Sequence, residues 1–192
     1  VDVPTRDFLD TLQRTFKLLP IIAEDLGSIT DDVREIMKVY GLPGMKVLLF
    51  AFSEDLKKHP YLPHNFEPHC AVYTGTHDNN TVRGWFENEA GPKEKENFFT
   101  YIGHEVDVKE IHWAFIELAM MSKADTAIVP MQDVLGLGEE ARFNKPATMR
   151  YAKRPGKFLP ALLRRRSRAA TSALPTLLCA RTRFRCEAWT RT

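Results

Sequence analysis

Leu19-Pro-Ile-Ile-Ala-Glu24-Asp25-Leu26-Gly27 and Ala71-Val-Tyr-Thr-Gly-Thr-His77-Asp78-Asn79-Asn80 each set a carboxylate just beyond a short, strand-like apolar run. If the two runs are parallel strands of one barrel, side chains past their C-terminal ends converge on the face where such barrels do chemistry. Glu24 and Asp78 then share one cleft. Two carboxylates in a cleft are the equipment for breaking a glycosidic bond. One protonates the leaving oxygen, while negative charge stabilises an oxocarbenium-like transition state. Different surroundings hold their pKa values apart, an apolar wall raising one and hydrogen bonds keeping the other ionised. The same acids also fit a plainer reading, as helix N-terminal residues favoured by the macrodipole.

The flanking pattern extends the strand reading along the chain. Thr5 can cap a helix with Phe8, Leu9, Leu12 and Phe16 on one face, and Leu18 to Ala23 follows as a strand. Thr30, with Asp31 and Asp32 behind it, starts a second helix carrying Val33, Ile36, Met37 and Tyr40, stopped at Gly41. Met45 to Phe52 reads as a buried strand, Ser53 to Pro68 as a loop, and the run from Cys70 to Tyr73 as a third strand leading to Asp78. Beyond it, Thr81 to Asn88 reads as a short helix and Gly91 to Val108 as a polar insertion over the surface. Lys109 to Ser122 is a helix with Ile111, Phe115, Leu118, Ala119 and Met121 on a broad apolar face, and Thr126 to Met131 is a strand. Helix and strand alternate as in a parallel sheet or barrel.

Composition divides the chain. Residues 151–192 hold nine Arg and two Lys against the single acid Glu187, a formal charge of +10, whereas the whole chain carries +2. The first 150 residues therefore carry −8, an acidic body joined to a basic tail. Cys70, Cys179 and Cys186 are too few and too scattered for a disulfide framework, which points to a reducing compartment such as the cytoplasm, or a plastid in a plant or alga. No leader or membrane-spanning stretch is visible, and Val1-Asp2-Val3-Pro4 does not look like a normal translation start, so a fragment of a longer protein is expected.

Four ordered blocks then carry a family resemblance: Ile22-Ala-Glu-Asp-Leu-Gly27, Gly41-Leu-Pro-Gly-Met-Lys-Val47, Tyr73-Thr-Gly-Thr-His-Asp-Asn79 and Met131-Gln-Asp-Val-Leu-Gly-Leu-Gly138. Together they resemble the 4-α-glucanotransferases known as amylomaltase or disproportionating enzyme, of glycoside hydrolase family 77, over roughly residues 5 to 149. Four blocks in order are far more specific than any one short motif. The resemblance implies an α/β fold, the C-terminal half of a (β/α)₈ TIM barrel with strands five to eight in residues 1–150. It implies Glu24 as general acid/base and Asp78 as transition-state stabiliser, with His77 and Asn79 on the sugar. Maltooligosaccharides or α-glucan are the implied substrates, with no cofactor, no metal, and neither a membrane nor a nucleic-acid partner.

By the family's pattern the retaining reaction uses an aspartate at the end of the fourth strand as nucleophile, and that strand precedes Val1. The implied fragment lacks the N-terminal half of the barrel and is inert alone, because a double displacement cannot form its covalent intermediate without that group.

Other features read less sharply. Gln132, Asp133 and Asn144 fall at family-like positions near the eighth strand's exit and contact sugar, or else only form turns. Lys46 lies on the sixth strand, and Phe52 at its exit packs in the core or stacks on glucose. His59, His64, His69 and Cys70 lack the paired short spacing of a structural zinc site and read as a solvated loop. Gly136-Leu-Gly138 lacks the further glycine and the Lys-Ser/Thr of a phosphate cradle.

After Met149 the family pattern stops abruptly and an Arg-rich, irregular tail follows over residues 151–192, as a GC-rich gene read out of frame would give. Two rival functions remain: another hydrolase or debranching enzyme of the α-amylase clan, and a non-catalytic protein that binds a polyanion through the tail.

Overall fold

The structure is a computed structural model that describes residues 4–17 and 21–147. Residues 151–192, with the tail and its assignments, lie outside the described residues. Helix α1 covers Thr5–Phe16 and α2 covers Asp31–Val39. The Tyr40 hydroxyl donates to Asp10 Oδ1 at 2.7 Å and ties the two together. Of the apolar face expected on α1, only Leu9 is buried, while Phe8 and Phe16 stay exposed.

Strands β1 (Gly44–Val47), β2 (Cys70–Tyr73) and β3 (Thr126–Ile128) form one parallel sheet in that order. Gly44 pairs with Cys70 and Val47 with Tyr73, and Ala71 and Tyr73 pair with Thr126 and Ile128. All three strands therefore run the same way and discharge their chains at one edge of the sheet. Val47, Ala71 and Val72 are fully buried, as strands covered on both faces require.

The strand expected over Leu18 to Ala23 differs from what is seen. Residues 18–20 lie outside the described residues, and 21–26 run beside β1 without joining the sheet. Ala23 donates to the Pro43 carbonyl at 2.9 Å, but Pro43 has no N–H to return. The next available donor, Met45 N, is taken at 2.6 Å by the side chain of Asp25 instead of by a backbone carbonyl. That carboxylate occupies the space a Cβ on Gly44 would need. The expected strand from Met45 to Phe52 begins at Gly44 and turns into a 3-10 helix at Leu48–Phe50. A continuous apolar run marks burial without distinguishing strand from helix. The last strand stops at Ile128, and Pro130 opens the one-turn helix α6, Met131–Val134.

Helix α3 (Val82–Asn88) is capped by Thr81, whose hydroxyl accepts from Gly84 N at 3.0 Å. Residues 91–108, read from sequence as a surface insertion, contain helix α4, Pro92–Ile102. Its Phe98 is fully buried, stacked on Phe115 at 4.7 Å between ring centres and edge-on to Phe52 at 5.0 Å. Asn97 Nδ2 donates to the Phe52 carbonyl at 2.9 Å, so a polar residue also docks the helix. Helix α5, Ile111–Met121, supplies Phe115 and closes this aromatic core with Trp85 and Phe86 of α3. Phe52 belongs to that core and is inaccessible to a sugar.

Candidate active site

The chain segments leaving β1, β2 and β3 border one open cleft of about 410 Å³. Its walls include Glu24, Phe50, Tyr73, His77, Asp78, Asn79, Ile128 and Phe143. Each strand contributes at its C-terminal end: Phe50 three residues after β1, His77 to Asn79 after β2, Val129 and Pro130 after β3. Glu24 arrives from the segment beside β1, held in place by the Ala23 and Asp25 bonds to Pro43 and Met45. The two acids singled out from sequence thus face the same cavity, and both side chains are open to solvent.

The loop after β2 is shaped by its own side chains. Asn79 Oδ1 accepts from both the amide and the hydroxyl of Thr76 at 2.8 Å, a local closure of the turn that carries His77 and Asp78. His77 Nε2 lies 3.5 Å from Asp78 Oδ1. Asn144 Nδ2 donates to that same oxygen at 2.6 Å, so the acid is gripped from a segment 66 positions away. Tyr73 lines the cleft with a phenol whose pKa burial pushes up, keeping it a neutral hydrogen-bonding group.

Gln132 and Asp133 sit differently. Neither lines the 410 Å³ cleft, and both are almost wholly buried, at 4% and 2% exposure. The short helix α6 turns them under the sheet's exit, where Asp133 Oδ2 accepts from the Thr74 hydroxyl at 2.6 Å and Oδ1 from Val82 N at 2.8 Å. Burial pushes the Asp133 carboxyl upward, although those two hydrogen bonds act in the opposite sense. This carboxylate fastens the end of β2 to the start of α3. Asn144 is also absent from the cleft wall, although its side chain touches Asp78.

Several wall residues had no signal in sequence. Phe50, exposed where Phe52 is buried, reaches the cleft because the 3-10 turn after Val47 breaks strand alternation. Its ring meets Tyr61 edge-on at 5.7 Å, and Lys46 Nζ lies over the other aromatic, 5.7 Å from its centre. The histidines of the 53–70 segment serve separate ends: His64 bonds the Tyr101 hydroxyl and the Lys57 carbonyl, and His69 the Gly41 carbonyl. Cys70 is a buried thiol with its pKa raised by burial, its Sγ donating to the Glu67 carbonyl. Among the described residues, no group of three or more His, Cys, Asp and Glu is placed to hold a metal.

A parallel sheet with helices packed on it and a cleft at its strand exits defines an α/β domain of the partial TIM-barrel kind. The family model described as 4-alpha-glucanotransferase matches residues 1–154, and the chain belongs to that family. It is 47% identical over 145 residues to the chloroplastic/amyloplastic 4-alpha-glucanotransferase of Solanum tuberosum, covering 76% of this chain and 25% of that protein. Against the 4-alpha-glucanotransferase of Clostridium butyricum it is 44% identical over 146 residues, 76% of this chain and 30% of the relative. Among solved structures, the amylomaltase from Streptococcus agalactiae in complex with acarbose superposes with a TM-score of 0.70 at 28% identity, over 85% of this chain and 35% of that one. The chain therefore spans less than a third of the length of these two curated relatives.

Proposed function

We propose that residues 1–150 supply strands five to eight of a (β/α)₈ barrel, and with them the acid/base half of a 4-α-glucanotransferase site, residues 151–192 taking no part in it. The observation that carries this reading is that Glu24 and Asp78 line one cleft at the exits of a parallel sheet. The acarbose complex of the amylomaltase relative supports a malto-oligosaccharide or α-glucan as substrate here.

In this reading the Glu24 carboxyl gives its proton to the glycosidic oxygen as the sugar C–O bond breaks, and the glycosyl carbon passes to a carboxylate nucleophile as an ester. Glu24 then takes the proton of an incoming glucan hydroxyl as that oxygen displaces the nucleophile, with net retention. Asp78, held by Asn144, stabilises the positive charge developing on the ring, and His77 and Asn79 contact sugar hydroxyls. The nucleophile and the other half of the barrel wall are proposed to come from outside the 192 residues, which makes this chain inert alone. No cofactor or metal enters the steps.

Product analysis with maltotriose tests the assignment. A full-length enzyme rebuilt around residues 5–147 should yield glucose and a ladder of longer chains. Formation of only shorter sugars would make the protein a hydrolase and overturn the transferase reading.

A further inference from the structure

Arg142 has no place in the catalytic scheme above, yet its guanidinium is engaged at three points beside the cleft. It follows the 3-10 turn Glu139–Ala141, and its side chain is only 14% exposed. Its guanidinium reaches three different acceptors: Nε donates to the Asn144 carbonyl at 2.7 Å, one terminal nitrogen to Glu89 Oε1 at 2.7 Å, and the other to the Asp78 carbonyl at 3.0 Å. Glu89 Oε1 also accepts from Asn80 Nδ2 at 3.0 Å, and Asn80 is itself buried, with its Oδ1 accepting from Thr81 N at 2.9 Å.

These contacts close a ring around one acid. The Asp78 carboxylate is held from the front by Asn144 at 2.6 Å, and its main chain from behind by Arg142. Arg142 also holds the backbone of Asn144, the residue that makes the front contact. Through Glu89 and Asn80 the same guanidinium is anchored to both ends of helix α3. Arg142 does not line the 410 Å³ cleft itself, and its printed hydrogen bond to a residue of that cleft's wall is the one to Asp78. A planar fork with donors in fixed directions suits this geometry, and a lysine, which offers one point charge, does not. In the Glu89–Arg142 pair the Glu89 side chain is 40% exposed and that of Arg142 14%, so the pair's value lies in fixing direction more than in net stability.

We infer that Arg142 is a positioning residue for Asp78, setting both the main-chain position of the acid and the orientation of the Asn144 amide that grips it. The inference rests on the catalytic reading of Asp78. A displacement of about 1 Å in a reacting group costs about 100-fold in rate, so loss of the clamp should appear in turnover.

The test uses Arg142→Met, Arg142→Lys and the milder Glu89→Gln. In the rebuilt full-length enzyme, Arg142→Met should lower kcat on maltotriose by about 10- to 100-fold with KM changed less than about two-fold, well below the melting temperature. Arg142→Lys should recover only part of the loss, and Glu89→Gln should fall between it and the parent. In the full 192-residue chain, the side-chain amide resonance of Asn144 should shift on Asp78→Asn, and in an Arg142→Met background that response should be lost. Unchanged kcat in Arg142→Met, or an Asn144 resonance that still responds to Asp78→Asn in that background, overturns the inference. If the rebuilt parent fails to transfer glucan at all, the functional reading falls, and the Asn144 resonance alone decides the clamp.

Discussion

The Thr74 hydroxyl donates to Asp133 Oδ2 at 2.6 Å, across 59 positions of sequence, with both residues buried. The opposite oxygen takes Val82 N, so one carboxylate terminates β2 and starts α3 at once. Loops that carry His77 and Asp78 are thereby fixed at both ends, and a residue at a strand exit proves to be a fastener of the site.

Asp133→Ala should destabilise the protein by on the order of 2 kcal/mol, because it strands a buried hydroxyl and a buried N–H without an acceptor. Urea unfolding of the two proteins measures this. An unchanged midpoint together with a loss of sugar binding would return Asp133 to the substrate.

Acidity should have a visible signature at the same residue. Burial raises the Asp133 carboxyl above its ordinary 3.8, so the folded chain binds that proton more tightly than the unfolded one. The resulting stabilisation is complete below the ordinary value and is lost as pH rises through the raised folded value. The stability of the parent relative to Asp133→Asn should therefore decline from about pH 4 upward and then level. A difference that is flat, or that grows with pH, contradicts the raised carboxyl.

Phe98→Ala should cost about 3–5 kcal/mol, since the ring is fully buried and stacked on Phe115 at 4.7 Å. Thermal melting of the variant checks it. A loss below about 1 kcal/mol would mean that α4 is an ornament on the surface and not part of the core.

Legibility in the sequence followed the range of the interactions. β2 and the bounds of α2, α3 and α5 were readable to within a few residues, because apolar spacing and the Thr30 and Thr81 N-cap positions are local signals. The shared cleft of Glu24 and Asp78 was readable from two apolar runs each followed by an acid, although only Asp78 follows a strand and Glu24 arrives on a segment beside β1. The segment before Glu24 was misread because Pro43 and the Asp25 side chain replace a ladder that only the neighbouring strand reveals. Helix α4 was hidden by the charged residues around Phe98, whose partners Phe52 and Phe115 lie far away in sequence. Arg142 left no trace, as its acceptors at Asp78 and Glu89 are 64 and 53 positions distant.

The isolated 192-residue chain should leave maltotriose unconverted at any enzyme concentration, because a retaining transfer needs a nucleophile beyond Glu24 and Asp78. Chromatography of the sugars after prolonged incubation settles it. Disproportionation by pure chain would require a different mechanism.

The central claim is that Glu24 and Asp78 act together in glucan transfer, and turnover of maltotriose by the rebuilt full-length enzyme tests it most directly. Glu24→Gln and Asp78→Asn should each lower kcat by about 10² to 10⁴-fold, the span that one positioned acid–base group commonly supplies. Near-parental turnover in either variant, with the fold intact, would remove that residue from the chemistry and contradict the account.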